Sequence, residues 1–283
     1  MQTLFPFAWV DGGILPLAQA RIRSDDAGLL FGWGIFETVR LYDSRPFDLG
    51  AHLARMRRGA RALSIPSRLE PSRIAKATAG LARANRAGDA ALRITLTRGP
   101  AGGKPALILH LRRLLPAPDD LRRKGATVVT APWRRTIGGP LAGLKTLNYL
   151  EHAMARELAA RRGAYESLYL DSQGRVLEGS ASSIFAVFGR IVRTPPLASG
   201  ILQGVTRGRV LRTLRSLGLR TAESRLTLAD LRRAGEVFLT NSTGEVIPVR
   251  AVDGRRMHRG VLWSAVWAAY RAQVRDSLGA VGV

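Results

Sequence analysis

Apolar and polar residues alternate over Gly34-Ile-Phe-Glu-Thr-Val-Arg-Leu-Tyr42, the period of a strand with one buried face. Phe7–Val10 and Ile14–Leu17 flank Asp11-Gly12-Gly13, a hairpin signature. Leu53, Met56, Ala60 and Leu63 recur at helical spacing and predict a helix over about 50–64. Pro71-Ser72 opens a second helix over 71–85, and strands are expected at 91–98 and 106–111. Further on, the pattern predicts a strand at 126–132, a helix at 147–162 and a hairpin of 167–171 with 175–178. Strands at 182–188 and 190–194 flank Gly189, and a helix starts near Thr206. Strands return at 236–240 and 245–252, and Val261–Ser277 reads as a closing helix.

Proline and charge concentrate in Leu114-Leu-Pro-Ala-Pro-Asp-Asp-Leu-Arg-Arg-Lys-Gly125. Residues 116–125 are therefore the expected linker between a smaller domain at 1–115 and a larger one at 126–283. The class is α+β, built as two α/β domains without internal repeats.

Composition narrows the chemistry. The chain has no cysteine, which excludes disulfides, thiolate nucleophiles and iron–sulfur clusters. Its four histidines, His52, His110, His152 and His258, show no HxxxH spacing, so no metal site is expected. No apolar run approaches the roughly 18 residues of a membrane span. Met1-Gln2-Thr3-Leu4-Phe5-Pro6 lacks a secretory pattern, so the cytoplasm is the expected compartment. The formal net charge of +23 raises the question of nucleic acid. The basic residues are scattered in pairs such as Arg57-Arg58, Arg134-Arg135 and Arg255-Arg256, with no basic tail. That reads as a solvated, arginine-rich surface, and no specific nucleic-acid partner is expected.

Of the 44 basic residues only Lys76, Lys104, Lys124 and Lys145 are lysine. An ammonium can shed its proton and attack a carbonyl, whereas a guanidinium cannot. Lys145 stands in the uncharged run Pro140-Leu-Ala-Gly-Leu-Lys-Thr-Leu-Asn-Tyr-Leu150, a setting that lowers a lysine pKa. It can equally be a stem packed on apolar surface with its head in water. Glu178 ends a strand and is followed by Gly179 and small residues, which lets a flat ligand approach. Beside a pyridine nitrogen such a carboxylate keeps the ring protonated; alone, it is a glutamate closing a hairpin. Gly204-Val205-Thr206 leads a glycine-rich turn into a helix, a place for an anion or simply a capped surface helix. Thr240-Asn241-Ser242-Thr243-Gly244 puts small polar groups in a bend that suits phosphate, though such turns are common. His52 and Arg55 share one helix face, and Arg55 could pair with phosphate. Arg98, at a strand end before Gly99, could grip a carboxylate bidentately.

Each feature is ambiguous alone, but their order is informative. Asp25 to Arg40, His52-Leu-Ala-Arg55-Met, Thr97-Arg98-Gly99, Leu144-Lys145-Thr-Leu-Asn-Tyr149, Glu178-Gly-Ser-Ala-Ser-Ser-Ile-Phe185, Gly200-Ile-Leu-Gln-Gly204-Val-Thr-Arg207 and Thr240-Asn-Ser-Thr-Gly-Glu-Val-Ile-Pro248 follow one another. The series resembles the class IV aminotransferases, fold-type IV enzymes that use pyridoxal 5'-phosphate. The resemblance implies a smaller N-terminal and a larger C-terminal α/β domain with the cofactor in the cleft between them, in a homodimer. It implies that Lys145 holds the cofactor as an aldimine and then moves protons, with Tyr149 near the cofactor ring. Glu178 would pair with the pyridine nitrogen, and Arg55, Gly204, Val205, Thr206, Ser242 and Thr243 would hold the phosphate. Phe36, Thr38 and Arg98 would face the substrate, Arg98 taking its carboxylate. Ser183 stands where the family commonly has Asn, and Gln203 where it often has Pro.

Within that family, Thr240-Asn241-Ser242, Thr97-Arg98-Gly99 and the short run after Lys145 look most like aminodeoxychorismate lyase. That enzyme releases pyruvate from 4-amino-4-deoxychorismate and leaves 4-aminobenzoate for folate biosynthesis. The alternative is a D-amino-acid or branched-chain transaminase passing its amino group to 2-oxoglutarate. A nucleic-acid-binding protein remains as a reading from charge alone, and it gives no reason for the motif order.

Overall fold

The computed structural model describes residues 4–67, 69–114 and 118–279. The backbone forms two compact units, Met1–Leu115 with Leu144–Tyr149, and Pro116–Gly143 with Leu150–Val283.

The first unit runs β1 (Leu4–Val10), β2 (Gly13–Pro16), α1 (Ala27–Leu30), β3 (Gly34–Tyr42), β4 (Arg45–Pro46), α2 (Leu49–Ala62), α3 (Pro71–Ala84), β5 (Ala90–Thr97) and β6 (Leu107–Arg112). Its sheet has the order β2-β1-β6-β5-β3-β4, with every neighbouring pair antiparallel. Alternation along β3 sends Ile35, Val39 and Leu41 into a core with Leu53 and Met56 of α2 and Ile74 and Leu81 of α3. Phe36, Thr38 and Arg40 therefore stand on the other face. Pro71 occupies the first turn of α3, where its missing N–H costs nothing.

Residues 144–149 belong with this unit because they lie along β3. The Phe36 amide donates to the Lys145 carbonyl, and the Leu147 amide to the Gly34 carbonyl, both at 2.9 Å. The helix expected from 147 begins only at Leu150, since the preceding backbone groups are satisfied by the strand. Gly34 is required there: a Cβ would lie 2.7 Å from the backbone carbonyl oxygen of Leu96.

The second unit runs α4 (Pro118–Lys124), β7 (Ala126–Arg135), α5 (Leu150–Arg161), β8 (Glu166–Asp171), β9 (Arg175–Gly179), β10 (Ser183–Phe188), β11 (Ile191–Thr194), α6 (Val205–Ser216), β12 (Arg220–Glu223), β13 (Leu226–Thr227), α7 (Leu228–Arg233), β14 (Glu236–Asn241), β15 (Glu245–Val252), β16 (Arg255–Arg256) and α8 (Leu262–Gly279). The strand order is β12-β11-β10-β14-β15-β7-β8-β9-β13, with β16 beside β15. On β10, Ile184 and Ala186 enter one apolar cluster, while Phe185 and Val187 enter another lined by Val210 of α6 and Val266 of α8. A strand buried on both faces reads as an unbroken apolar run, as Ile184-Phe-Ala-Val-Phe188 does.

The stretch expected as a linker, 116–125, carries α4 instead. Pro118 sits at its first position, and Asp119 and Asp120 favour its first turn. Arg122 fixes it by donating to the Gly244 carbonyl at 3.1 Å and pairing with Glu245. Helix α7, which follows a capping box of Thr227 with Asp230, had no counterpart in the sequence pattern.

Candidate active site

In the first unit, the β3 pairing of residues 144–149 brings the Lys145 Nζ to 4.5 Å from the centre of the Phe36 ring and 5.3 Å from that of Tyr149. The two rings meet edge to face at 4.9 Å. Thr38 stands two residues beyond Phe36 on the same face. Arg93, on β5, is the direct neighbour of Thr38, and its guanidinium lies 3.7 Å from the Phe36 ring centre. Arg93 Nε donates to Thr95 Oγ1, and among the described residues it meets no carboxylate. Burial first, and then the nearby Arg112 cation, push its guanidinium down to about 10. The sequence reading missed Arg93; the available signal was one cation in the strand Ala90-Ala-Leu-Arg-Ile-Thr-Leu-Thr97. Arg98 lies elsewhere in the unit. Its amide donates to the Trp33 carbonyl at 2.8 Å, and its guanidinium packs 5.4 Å from the Trp33 ring.

Arg55 and His52 do share a face of α2, and both reach Glu37, which was also missed. Arg55 Nε and Nη2 donate to the two Glu37 oxygens at 2.6 and 2.7 Å, and His52 Nδ1 lies 2.8 Å from Oε2. Burial alone would raise the Glu37 pKa. The Arg55 charge and hydrogen bonds, followed by those of His52, outweigh burial and hold it far below the usual carboxylate range.

In the second unit, Glu178 is the penultimate residue of β9. Its Oε1 accepts from Arg135 Nη1 at 2.9 Å and its Oε2 from the Leu202 amide at 3.1 Å. The Arg135 guanidinium lies 4.9 Å from the Tyr169 ring centre. The small residues after Glu178 are clamped by Glu166, a buried carboxylate on β8. It accepts from the Ser180 amide and hydroxyl, the Ala181 amide and the Ser182 hydroxyl. Gly179 leaves room for this, since a Cβ there would lie 2.8 Å from the Glu166 carboxylate.

Helix α6 begins at Val205 with Gly204 in the capping position and no side-chain cap, whereas the sequence pointed to Thr206 as the opener. Thr206 is buried in the first turn. A Cβ on Gly204 would lie 3.0 Å from Ser183 Oγ, so this helix end abuts β10. Ser183 pairs with Thr240 on β14, whose buried Oγ1 has no hydrogen-bond partner. The turn Ser242-Thr243-Gly244 follows, shaped by Asn241 Oδ1, which accepts from the Gly244 amide at 2.6 Å and Thr243 Oγ1 at 3.2 Å. One end of the sheet thus gathers an uncapped helix N-terminus, an orphaned buried hydroxyl and a hydroxyl-rich turn, a donor set that suits a phosphate. The second unit also carries the buried Glu178 carboxylate, and the first unit, by itself, the Lys145 amine beside two aromatic rings; each is a kind of group that fits pyridoxal phosphate. Among the described residues, no three histidine, aspartate or glutamate side chains gather to hold a metal. None of the described helices is long and apolar enough to cross a membrane.

Comparison with known proteins identifies the family. Residues 34–252 match the family described as amino-transferase class IV. A "Putative branched-chain-amino-acid aminotransferase" of Methanocaldococcus jannaschii is 33% identical over 256 residues, 87% of this chain and 88% of that protein. The aminodeoxychorismate lyase of Bacillus subtilis is 29% identical over 282 residues, 95% of each chain. The pyridoxal-phosphate-bound form of a hypothetical aminotransferase from Mycobacterium tuberculosis superposes with a TM-score of 0.86 at 28% identity, covering 94% of this chain and 98% of that one. The chain belongs to the class IV aminotransferases and is a pyridoxal-phosphate-dependent enzyme.

Proposed function

We propose that the chain uses the Lys145 amine to hold its cofactor and to move a proton on an amino substrate, and that its reaction is that of an aminodeoxychorismate lyase. When bound, pyridoxal phosphate supplies an electron sink for the electrons released from the substrate. With the cofactor bound, the Lys145 amine would be the base that removes a proton from the substrate and the acid that returns it. Glu178, oriented by Arg135, would pair with the ring nitrogen, and Tyr149 would lie near the ring. Gly204, Val205 and Thr206 would offer backbone donors to the phosphate, and Ser242 and Thr243 their hydroxyls. Arg55 would hold the phosphate as the family resemblance implies, while its Nε and Nη2 donate to Glu37.

The observation that carries the substrate reading is Arg93. Its guanidinium shares the Phe36 ring with the Lys145 amine and has no counter-charge among the described residues. A substrate carboxylate there would satisfy it and set the amino group near Lys145. Arg93 is better placed for this than Arg98, which stays a second contact. The sheet face around Phe36 offers Thr38, Arg93 and Thr95, a polar wall that suits an acidic ring substrate better than a branched aliphatic chain. The similarity to the Methanocaldococcus protein favours the second reading, a class IV transaminase. Exposed Leu29, Leu30 and Phe31 suit contact with a second copy, in a cytoplasmic homodimer whose mass sedimentation would give.

The test has two stages. Purified protein is incubated with pyridoxal phosphate, desalted and scanned in the visible beside Lys145→Ala; a band in the wild type that the variant lacks is expected. Product assay then separates the readings. 4-Aminobenzoate from aminodeoxychorismate supports the lyase. Its absence, with conversion of D-alanine and 2-oxoglutarate, establishes the transaminase. A colourless wild type rejects both.

A further inference from the structure

Glu245, the first residue of β15, follows directly on the Ser242-Thr243-Gly244 turn, and its side chain is 1% exposed. Its φ is 64°, in the left-handed region that glycine takes freely and a residue with a Cβ takes rarely. A glutamate keeps such a backbone only where its surroundings fix it. Here Oε2 accepts from Trp267 Nε1 at 2.6 Å and from Arg122 Nη1 at 3.3 Å, and Oε1 accepts from Arg271 Nη1 at 2.9 Å. Trp267 and Arg271 stand one turn apart on α8, and Arg122 stands on α4, so two helices distant in the chain converge on one carboxylate. Arg122 Nη1 also donates to the Gly244 carbonyl at 3.1 Å, and its guanidinium lies 4.7 Å from the Trp267 ring centre. Asn241 shapes the turn from within; the Glu245 cluster ties its last carbonyl to α4 and α8.

We infer that Glu245 is a positioning residue for the cofactor phosphate, fixing the Ser242-Thr243-Gly244 turn through its own backbone and through Arg122. This rests on the reading of that turn as a holder of the phosphate. Joining α4, α8 and β15 does not by itself call for charge, since well-packed apolar side chains would do so at least as stably as a buried ion cluster. Charged hydrogen bonds differ in fixing direction as well as distance. A turn held in this way is already ordered when the anion arrives, so binding costs less entropy. Two guanidinium groups match the Glu245 charge, so a carboxylate this close to the turn does not repel a phosphate.

The test is equilibrium dialysis of the full chain against pyridoxal phosphate and against pyridoxal, which lacks the phosphate. The wild type should prefer the phosphorylated form. Glu245→Gln should lose about tenfold in affinity for pyridoxal phosphate and bind pyridoxal as the wild type does. Arg271→Met changes a partner whose side chain is 34% exposed; it should lose severalfold in the same direction, and Arg271→Lys should recover most of that loss. Glu236→Gln is the control. Glu236 accepts from the Leu262 and Trp263 amides and so holds the start of the same helix α8, from β14 rather than from the turn. It should lower the melting temperature and keep the preference for phosphate. An unchanged preference in Glu245→Gln and Arg271→Met overturns the inference and leaves the phosphate reading standing. An equal loss in Glu236→Gln, or a loss shared by both ligands, does the same. If Glu245→Gln does not fold, the two Arg271 variants, which retain the carboxylate, decide. A wild type that binds the two ligands alike, or takes up neither, overturns the phosphate reading of the turn and the inference with it.

Discussion

Arg135 Nη1 donates to Glu178 Oε1 at 2.9 Å, while the Leu202 amide holds the other carboxylate oxygen. The pair is largely sheltered, with side chains 20% and 8% exposed, so removing one partner leaves a poorly solvated charge. Arg135→Met should cost about 1–3 kcal/mol in a denaturant melt. It should also slow turnover more than it weakens cofactor uptake, because Glu178 would lose the orientation that the proposed pairing with the ring nitrogen requires. Arg135→Lys should recover part of both. Glu178→Ala should keep some cofactor and slow proton removal. Single-turnover rates decide the matter: an unchanged rate in Glu178→Ala removes that residue from the mechanism.

Lys145→Arg keeps the positive charge between Phe36 and Tyr149 but replaces the amine that bonds to carbonyl carbon. Its fold and melting temperature should match the wild type. Turnover should drop to background, because no group of this chain then holds the cofactor covalently or carries the proton. Near-normal activity in this variant would refute the assignment of Lys145.

The Glu37–Arg55–His52 cluster gives a pH prediction. The folded-state pKa of Glu37 lies below the ordinary value of 4.5, so the carboxylate binds protons less well folded than unfolded. Its contribution is fully present above that ordinary value and is lost as pH falls below it towards the depressed one. Urea melts between about pH 6 and pH 3 should therefore show the wild type losing stability more steeply than Glu37→Gln. At neutral pH Glu37→Gln should be the weaker protein by about 3–5 kcal/mol, since it leaves Arg55 facing an amide in a buried site. Parallel pH curves for the two proteins would show that Glu37 is not held ionised in the way its partners imply.

These relationships differ in how far the sequence discloses them. Strand β3 and helices α2 and α3 were legible because their apolar spacing repeats within a few residues, and β10 because both its faces are buried. Lys145, Glu178 and the Gly204 turn stood out in the sequence as motifs, and their roles rest on the family resemblance. Helix α4 was hidden by prolines that also mark linkers, and its anchor on Glu245 lies 123 residues away. The partnerships of Arg93 with Phe36 and of Glu37 with Arg55 depend on strand register and on the docking of α2. Arg135 on β7 meets Glu178 on β9 only through the strand order of the sheet, 43 residues apart in the chain. Long-range pairing of this kind leaves no periodic trace in the chain.

Gly204 tests the anion cradle most directly. Its backbone, at φ −61° and ψ 130°, is one that alanine adopts without strain. Any effect of Gly204→Ala must therefore come from the added methyl, which would lie 3.0 Å from both Ser183 Oγ and Arg207 Cβ. The start of α6 has to shift by a few tenths of an ångström to accept it, and the first-turn amides move with it. Stability should fall by no more than about 1 kcal/mol, because the helix and its packing on β14 persist. Affinity for pyridoxal phosphate should drop about tenfold, the loss of one charge-assisted hydrogen bond to the phosphate. Pyridoxal, which lacks the phosphate, should bind wild type and variant alike. That comparison separates a damaged phosphate cradle from a damaged protein, since an equal loss for both ligands would mean that the methyl disturbs the pocket as a whole.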